Sequence, residues 1–176
     1  MNSQHLNEKK SHLGVDYFEK MHIIKNRKED EVAIMLIQFN FKNFRSFREE
    51  VTLDLSATKM TEFSERVVTI GSEKILPVAA IYGANASGKS NIYSAFEYMA
   101  EYVVDSFKYG DEEEKFEEYR PTPFLFDSTS ADAESSFEVY FTIPGDKNER
   151  TYNYGFCVDQ EGVTEEWLNS KAKTAR

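Results

Sequence analysis

The sequence predicts an α/β fold, a mixed sheet that includes an antiparallel β meander and carries one long helix. Three observations lead there. Alternating apolar residues mark strands near 37–41, 51–55 and 137–143. An unbroken apolar run, "ILPVAAIYG", leads into a glycine-containing loop. After the loop, apolar residues recur every three or four positions, as one face of a helix requires.

Residues 1–34 differ from the rest. Lys and Glu interleave in "NEKK" and "KNRKED", and the segment reads as a charged extension ahead of a lobe spanning 35–176. Within it, Val15, Phe18, Met21 and Ile24 have the spacing of one amphipathic helix. His5, His12 and His22 fall here without neighbours at ligand spacing, and read as solvated.

The pattern changes at Met35. Ile37, Phe39 and Phe41 alternate with Gln38, Asn40 and Lys42, the mark of a half-buried strand. Val51, Leu53 and Leu55 alternate in the same way, so "RSFREE" joins two antiparallel strands. Residues 57–74 are polar and mixed. Pro77 can stand only at the start or edge of a strand, which leaves Val78 to Tyr82 as the strand proper. Its lack of alternation predicts burial on both faces, as in the parallel centre of a sheet.

Ile92, Phe96, Met99, Val103 and Phe107 form the apolar stripe of a helix over 89–107, with Gly110 as its stop. "DEEEKFEEYRPTP" reads as a solvated acidic connector. Phe137, Val139, Phe141 and Ile143 begin the meander, "PGDKNE" has turn chemistry, and Tyr152 to Val158 return. "DQEG" is a second turn, and "VTEEWL" a third strand or a short helix.

Composition narrows the function classes. The net charge is −10, from 21 Lys and Arg against 31 Asp and Glu, so the chain lacks the basic footprint of a free-standing nucleic-acid binder. Contact with nucleic acid would need a local patch or a partner. No apolar stretch is long enough to span a membrane, and the N-terminus has no signal-type run, so the expected location is the cytoplasm. Cys157 is the single cysteine, which rules out an internal disulfide, and no Cys/His cluster has zinc spacing.

The chemistry lies in "GANASGKSN", that is Gly83, Ala84, Asn85, Ala86, Ser87, Gly88, Lys89, Ser90 and Asn91. A glycine, four residues, then Gly-Lys-Ser is the spacing of a phosphate-binding loop. A chance match in a chain of this length has a probability on the order of one in a hundred. An apolar run before the loop and a helix after it supply the required context. Gly83 and Gly88 let the main chain approach phosphate oxygens. The loop N–H groups and the positive end of the helix would converge on the anion. Lys89 would place an ammonium on the β- and γ-phosphates, and the Ser90 hydroxyl would coordinate Mg²⁺.

Three segments carry a resemblance: "MLIQFNFKNFRSFREEVTLDLSATKM", "AAIYGANASGKSNIYSAFEYM" and "YNYGFCVDQEGVTEEWLN". Together, over residues 35–170, the chain resembles the N-terminal part of AAA-type ATP-binding proteins of the ABC/SMC-like head class. That class includes relatives of RecF, SMC, OLD and RloC-like bacterial defence ATPases. The resemblance implies a P-loop NTPase lobe binding ATP and Mg²⁺. It implies that Asn43 to Ser46 lie beside the nucleotide, with Arg45 near its phosphates or base and Asn85 near the γ-phosphate. Asn91 continues the pattern "GKSN", and Ala86 departs from it where many such loops have glycine. Met35 aligns with the usual start of such proteins.

The resemblance also implies what hydrolysis would need: an apolar strand ending in Asp-Glu, and a signature loop from a second head. Neither is recognisable. Asp159 and Glu161 in "CVDQE" read as a hairpin turn, and such proteins continue past "SKAKTAR" with the rest of the head. The expected partners are therefore a second head or a complementary C-terminal half, with a nuclease or nucleic acid as further candidates. The alternatives are a non-hydrolysing, nucleotide-gated interaction module or a truncated gene product. A P-loop small-molecule kinase is a third, with Arg120 and Arg150 as its lid candidates.

Overall fold

A computed structural model describes residues 34–57, 62–109, 119–143, 145–146 and 149–172, with the side chains of 105–109 outside the description. The expected helix at 15–24, the stop at Gly110, the acidic stretch 111–118 and part of the "PGDKNE" turn also lie outside the described residues.

The strands are β1 (Met35–Lys42), β2 (Val51–Asp54), β3 (Val68–Ile70), β4 (Glu73–Ile75), β5 (Ser135–Thr142), β6 (Thr151–Val158) and β7 (Val163–Lys171). Among the described residues the helices are α1 (Lys89–Tyr109), the four-residue α2 (Ser128–Ala131) and a 3-10 turn at Ser64–Arg66. Five strands form one sheet in the order β2-β1-β5-β6-β7, and β3 pairs with β4. "VTEEWL" thus belongs to a strand.

Register decides which face is buried. Phe39 pairs with Val139, and Val139 with Tyr154; Phe41 pairs with Phe137, and Phe137 with Phe156. Since side chains alternate along a strand, these residues share one face. Phe39, Phe41, Phe137, Val139 and Phe156 are all essentially inaccessible. Each buried phenylalanine contributes about 1.5–3 kcal/mol of transfer free energy.

Helix α1 covers that face. Phe96 meets Phe39 edge-on with ring centroids 5.3 Å apart, Tyr98 lies 4.9 Å from Phe137, and Tyr102 stacks on Phe156 at 5.0 Å. Met99 and Val103 are buried as expected, and Ile92 and Phe96 are half-buried. The stripe is wider than the expected one, because Ala95, Tyr98 and Tyr102 also face the sheet. Tyr98 keeps its hydroxyl satisfied by donating to the Tyr119 carbonyl at 2.8 Å.

Within the polar, mixed stretch 57–74, β3 and β4 form a hairpin around Gly71, at φ +62, and Ser72. It docks on the end of β2 through Ala57 N–H to Lys74 O at 2.7 Å and Leu76 N–H to Leu55 O at 2.8 Å. One expectation is corrected: Val78 to Tyr82 do not form a strand. Val78 is 78% and Tyr82 90% exposed. A strand needs neighbours to take up its N–H and C=O groups, and no described strand lies beside this segment. The sheet therefore has no parallel centre: every strand pairing among the described residues is antiparallel.

The opposite face of the sheet is polar and satisfied by its own groups. Glu138 accepts from Asn40 Nδ2 and Asn153 Nδ2, both at 2.8 Å, and from Trp167 Nε1 at 3.3 Å. The Trp167 ring closes on Gly155, its cross-strand partner. A Cβ at Gly155 would strike the Trp167 ring and come within 2.8 Å of the Phe137 carbonyl oxygen. We expect Gly155→Ala to destabilise the fold by about 1–3 kcal/mol through overpacking, read as a lower urea midpoint. An unchanged midpoint would refute this packing of Trp167.

Candidate phosphate-binding site

The packing of α1 fixes where its N-terminus, Lys89, stands. Its first turn carries no acidic residue, so nothing of its own neutralises the unpaired N–H groups there. Asn91 N–H donates to Gly88 O at 2.9 Å as the helix opens, and Ser87 N–H to Ala84 O at 3.3 Å within the loop.

Lys89 does not point away into solvent. Its ammonium turns back over the loop and donates to the carbonyls of Gly83 at 2.9 Å and Ala84 at 2.6 Å. An ammonium has three protons, so these bonds leave one for an incoming anion. The loop itself, 83–87, is exposed and accessible to a ligand.

Both glycines have local reasons. A Cβ at Gly83 would lie 2.8 Å from Ser87 Oγ. Gly88 has φ +89, and a Cβ there would lie 2.8 Å from Phe47 Cζ and 2.9 Å from Ser46 Oγ. Ala86, where the resemblance leads one to expect glycine, adopts φ 63. The alanine thus keeps a left-handed backbone that glycine would adopt without strain.

The close approach at Gly88 brings the segment "NFRSF" to the glycine loop. Ser46 Oγ accepts from Asn91 Nδ2 at 2.8 Å, and Phe47 packs edge-on against Phe41 at 5.3 Å. Arg45 is exposed in the same turn; its guanidinium lies over the Phe44 ring, 5.3 Å from the centroid. Ser90 and Asn85 are exposed on the helix start and the loop. Asn43, expected beside the nucleotide with Arg45 and Ser46, is instead buried, and its side chain bonds to the stretch 130–134 and to Phe124.

The other candidates sit elsewhere in the fold. Asp159 closes the β6–β7 turn: its Oδ1 accepts from the N–H groups of Glu161 at 2.7 Å and Gly162 at 3.1 Å. Arg150 borders the β5–β6 turn, where its carbonyl accepts from Thr142 Oγ1 at 3.0 Å. Burial pushes the Cys157 thiol up to about 11, so it stays protonated at neutral pH and is no nucleophile.

Two substitutions probe the loop. Lys89→Ala removes a charge but no core contact. It is expected to abolish ATP–Mg²⁺ binding in calorimetric titration while changing stability by no more than about 0.5 kcal/mol. Gly88→Ala forces a side chain against Phe47 in a left-handed backbone, and should lower both affinity and melting temperature. Wild-type affinity in Lys89→Ala would dismiss the loop as a phosphate site.

Residues 78–176, more than half of the chain, match the family described as "AAA domain, putative AbiEii toxin, Type IV TA system". No curated protein matches the chain. The matched span takes in the whole glycine loop, α1 and the meander, and leaves "NFRSF" outside. The chain therefore belongs to this family of AAA domains, which is of P-loop ATPase type.

Proposed function

We propose that the chain binds ATP with Mg²⁺ at residues 83–91 and is the nucleotide-binding lobe, residues 35–176, of an ABC/SMC-like ATPase head. The observation that carries this reading is the Lys89 ammonium folded into the loop at the positive end of a 21-residue helix. The loop N–H groups would hold the phosphates. Lys89 would exchange carbonyl partners for phosphate oxygens. The Ser90 hydroxyl would hold Mg²⁺ together with those oxygens, and the ion would supply charge to the β- and γ-phosphates. The contact of Ser46 and Phe47 with Gly88 supports the head-class reading, since it brings "NFRSF" to the nucleotide loop. The toxin named in the family description lends support to a role in bacterial defence; action against phage and a cytoplasmic location belong to the same proposal.

A second reading, a nucleotide-gated interaction module, draws on the exposed apolar segment before the loop. Val78, Ile81 and Tyr82 are exposed although their sequence suits a buried strand. A complementary half or a second head that laid a strand beside them would bury them and satisfy their backbone. In that arrangement ATP held by this chain gates the docking of the partner, without hydrolysis.

Turnover separates affinity from catalysis. Phosphoryl transfer to water needs groups on both sides of the γ-phosphate. Lys89, Ser90 and the loop amides all lie on one side, and Asp159 is engaged in closing a turn. Interactions that bind substrate and transition state alike give affinity without rate. The purified chain is therefore expected to bind ATP–Mg²⁺ with very slow phosphate release, accelerated by a complementary half or a full-length relative. Robust release by the chain alone, lost in Asp159→Asn or Glu161→Gln, would overturn this assignment of roles.

A further inference from the structure

We propose that Asn43 is a positioning residue for the nucleotide loop: it anchors the turn 44–47 that closes on Gly88, and so sets nucleotide affinity from a distance. The affinity claim rests on the reading of residues 83–91 as an ATP site; the anchoring claim does not.

Asn43 follows the last residue of β1 and is 3% exposed. Its Nδ2 donates to Ser130 O at 2.8 Å, Ala133 O at 2.9 Å and Glu134 O at 3.2 Å. Two protons serve three carbonyls, so one bond is shared. Its Oδ1 accepts from Phe124 N–H at 3.0 Å. Its carbonyl accepts from the buried Ser135 Oγ at 2.6 Å, and its N–H donates to Arg48 O at 3.2 Å. One side chain thus ties together the end of β1, the segment at 124 and the stretch from α2 to β5. Every polar group of this buried residue is matched.

The turn it anchors is tight. Phe44 N–H donates to Phe47 O at 2.9 Å, and Phe47 N–H returns to Phe44 O at 3.0 Å, so Arg45 and Ser46 form the tip. Asn43 and Arg45 both have left-handed backbones, φ 52 and φ 51. Asparagine tolerates that conformation, whereas arginine has no preference for it. What holds Arg45 there is tethering: its N–H donates to Thr122 O at 2.8 Å, beside the segment that Asn43 grips at Phe124. The tip then meets the loop through Ser46 Oγ, bonded to Asn91, and through the Ser46 and Phe47 atoms lying against Gly88. Two contacts in series join a buried amide to the phosphate loop, and Asn43 need not touch the ligand.

Asn43→Gly removes the side-chain tethers while keeping φ 52 accessible, and Asn43→Asp, which keeps Oδ1 but loses the Nδ2 donor, separates the tethers from glycine's added backbone freedom. The control is Phe141→Leu, a buried change toward the other end of β5, remote from the Asn43 end of the sheet. Three readouts on the full chain are compared: melting temperature, calorimetric ATP–Mg²⁺ affinity, and amide hydrogen exchange without nucleotide. All three variants should melt lower. Only the two Asn43 variants should weaken ATP–Mg²⁺ by about tenfold or more and speed exchange at 44–47 and 88–91. Unchanged exchange at 88–91 in either Asn43 variant overturns the proposal, as does an equal loss of affinity in Phe141→Leu. A wild-type chain that binds no ATP–Mg²⁺, yet shows Asn43-dependent exchange at 88–91, upholds the anchoring and sinks the ATP reading.

Discussion

The aromatic face of the sheet must be covered, and α1 covers it; the position of Lys89, where the glycine loop enters the helix, follows from that contact. Phe39, Phe137 and Phe156 lie on three adjacent strands, and Phe96, Tyr98 and Tyr102 of α1 meet them in turn. Three ring contacts across three strands fix the direction of the helix as well as its depth. A helix so aligned carries its positive end to one place, and Lys89 is its first residue. The proposed anion binding at the loop would in this sense be a consequence of hydrophobic packing, because an exposed loop could not by itself orient a helix dipole.

The same logic explains what could be read from the sequence. Alternation locates β1, β2, β5 and β6 because an antiparallel sheet with one buried face imprints a period of two. The stripe from Ile92 to Val103 locates α1 for the corresponding reason at a period near 3.6. The segment Val78 to Tyr82 shows the limit of that reasoning. An apolar run reports a preference for apolar surroundings, not the presence of the neighbours that would provide them. Here Val78 and Tyr82 stand exposed. The β3–β4 hairpin escaped for the opposite reason: strands of three residues are too short to display a period. Its signal was Gly71-Ser72 between Val68, Ile70 and Ile75, a two-residue hairpin connection.

At the proposed site, the spacing of Gly83, Gly88, Lys89 and Ser90 was legible because a phosphate-binding loop is a pattern local in sequence. Asn43 was not legible as an anchor. Its partners, Ser130, Ala133, Glu134 and Phe124, lie 81 to 91 positions away, and no local pattern announces bonds of that range. The one local hint is the residue type. An asparagine just after a strand, before a turn, suits a left-handed backbone, and φ 52 is what it adopts.

Left-handed residues concentrate where the two segments meet. Asn43 and Arg45 lie on one side, Ala86 and Gly88 on the other. Local preference accounts for the asparagine and the glycine, but an arginine and an alanine in that region each cost on the order of 1 kcal/mol. Such strain persists only where surrounding contacts over-determine the backbone. For Arg45 those contacts are the Thr122 carbonyl and the buried Phe44, wedged among Phe41, Tyr98 and Phe137. The core therefore imposes the shape of the turn, and the turn in its place constrains the loop at Gly88. A loop held in this way has already met much of its ordering cost, so that in the proposed phosphate site more of the interaction energy would remain available as affinity.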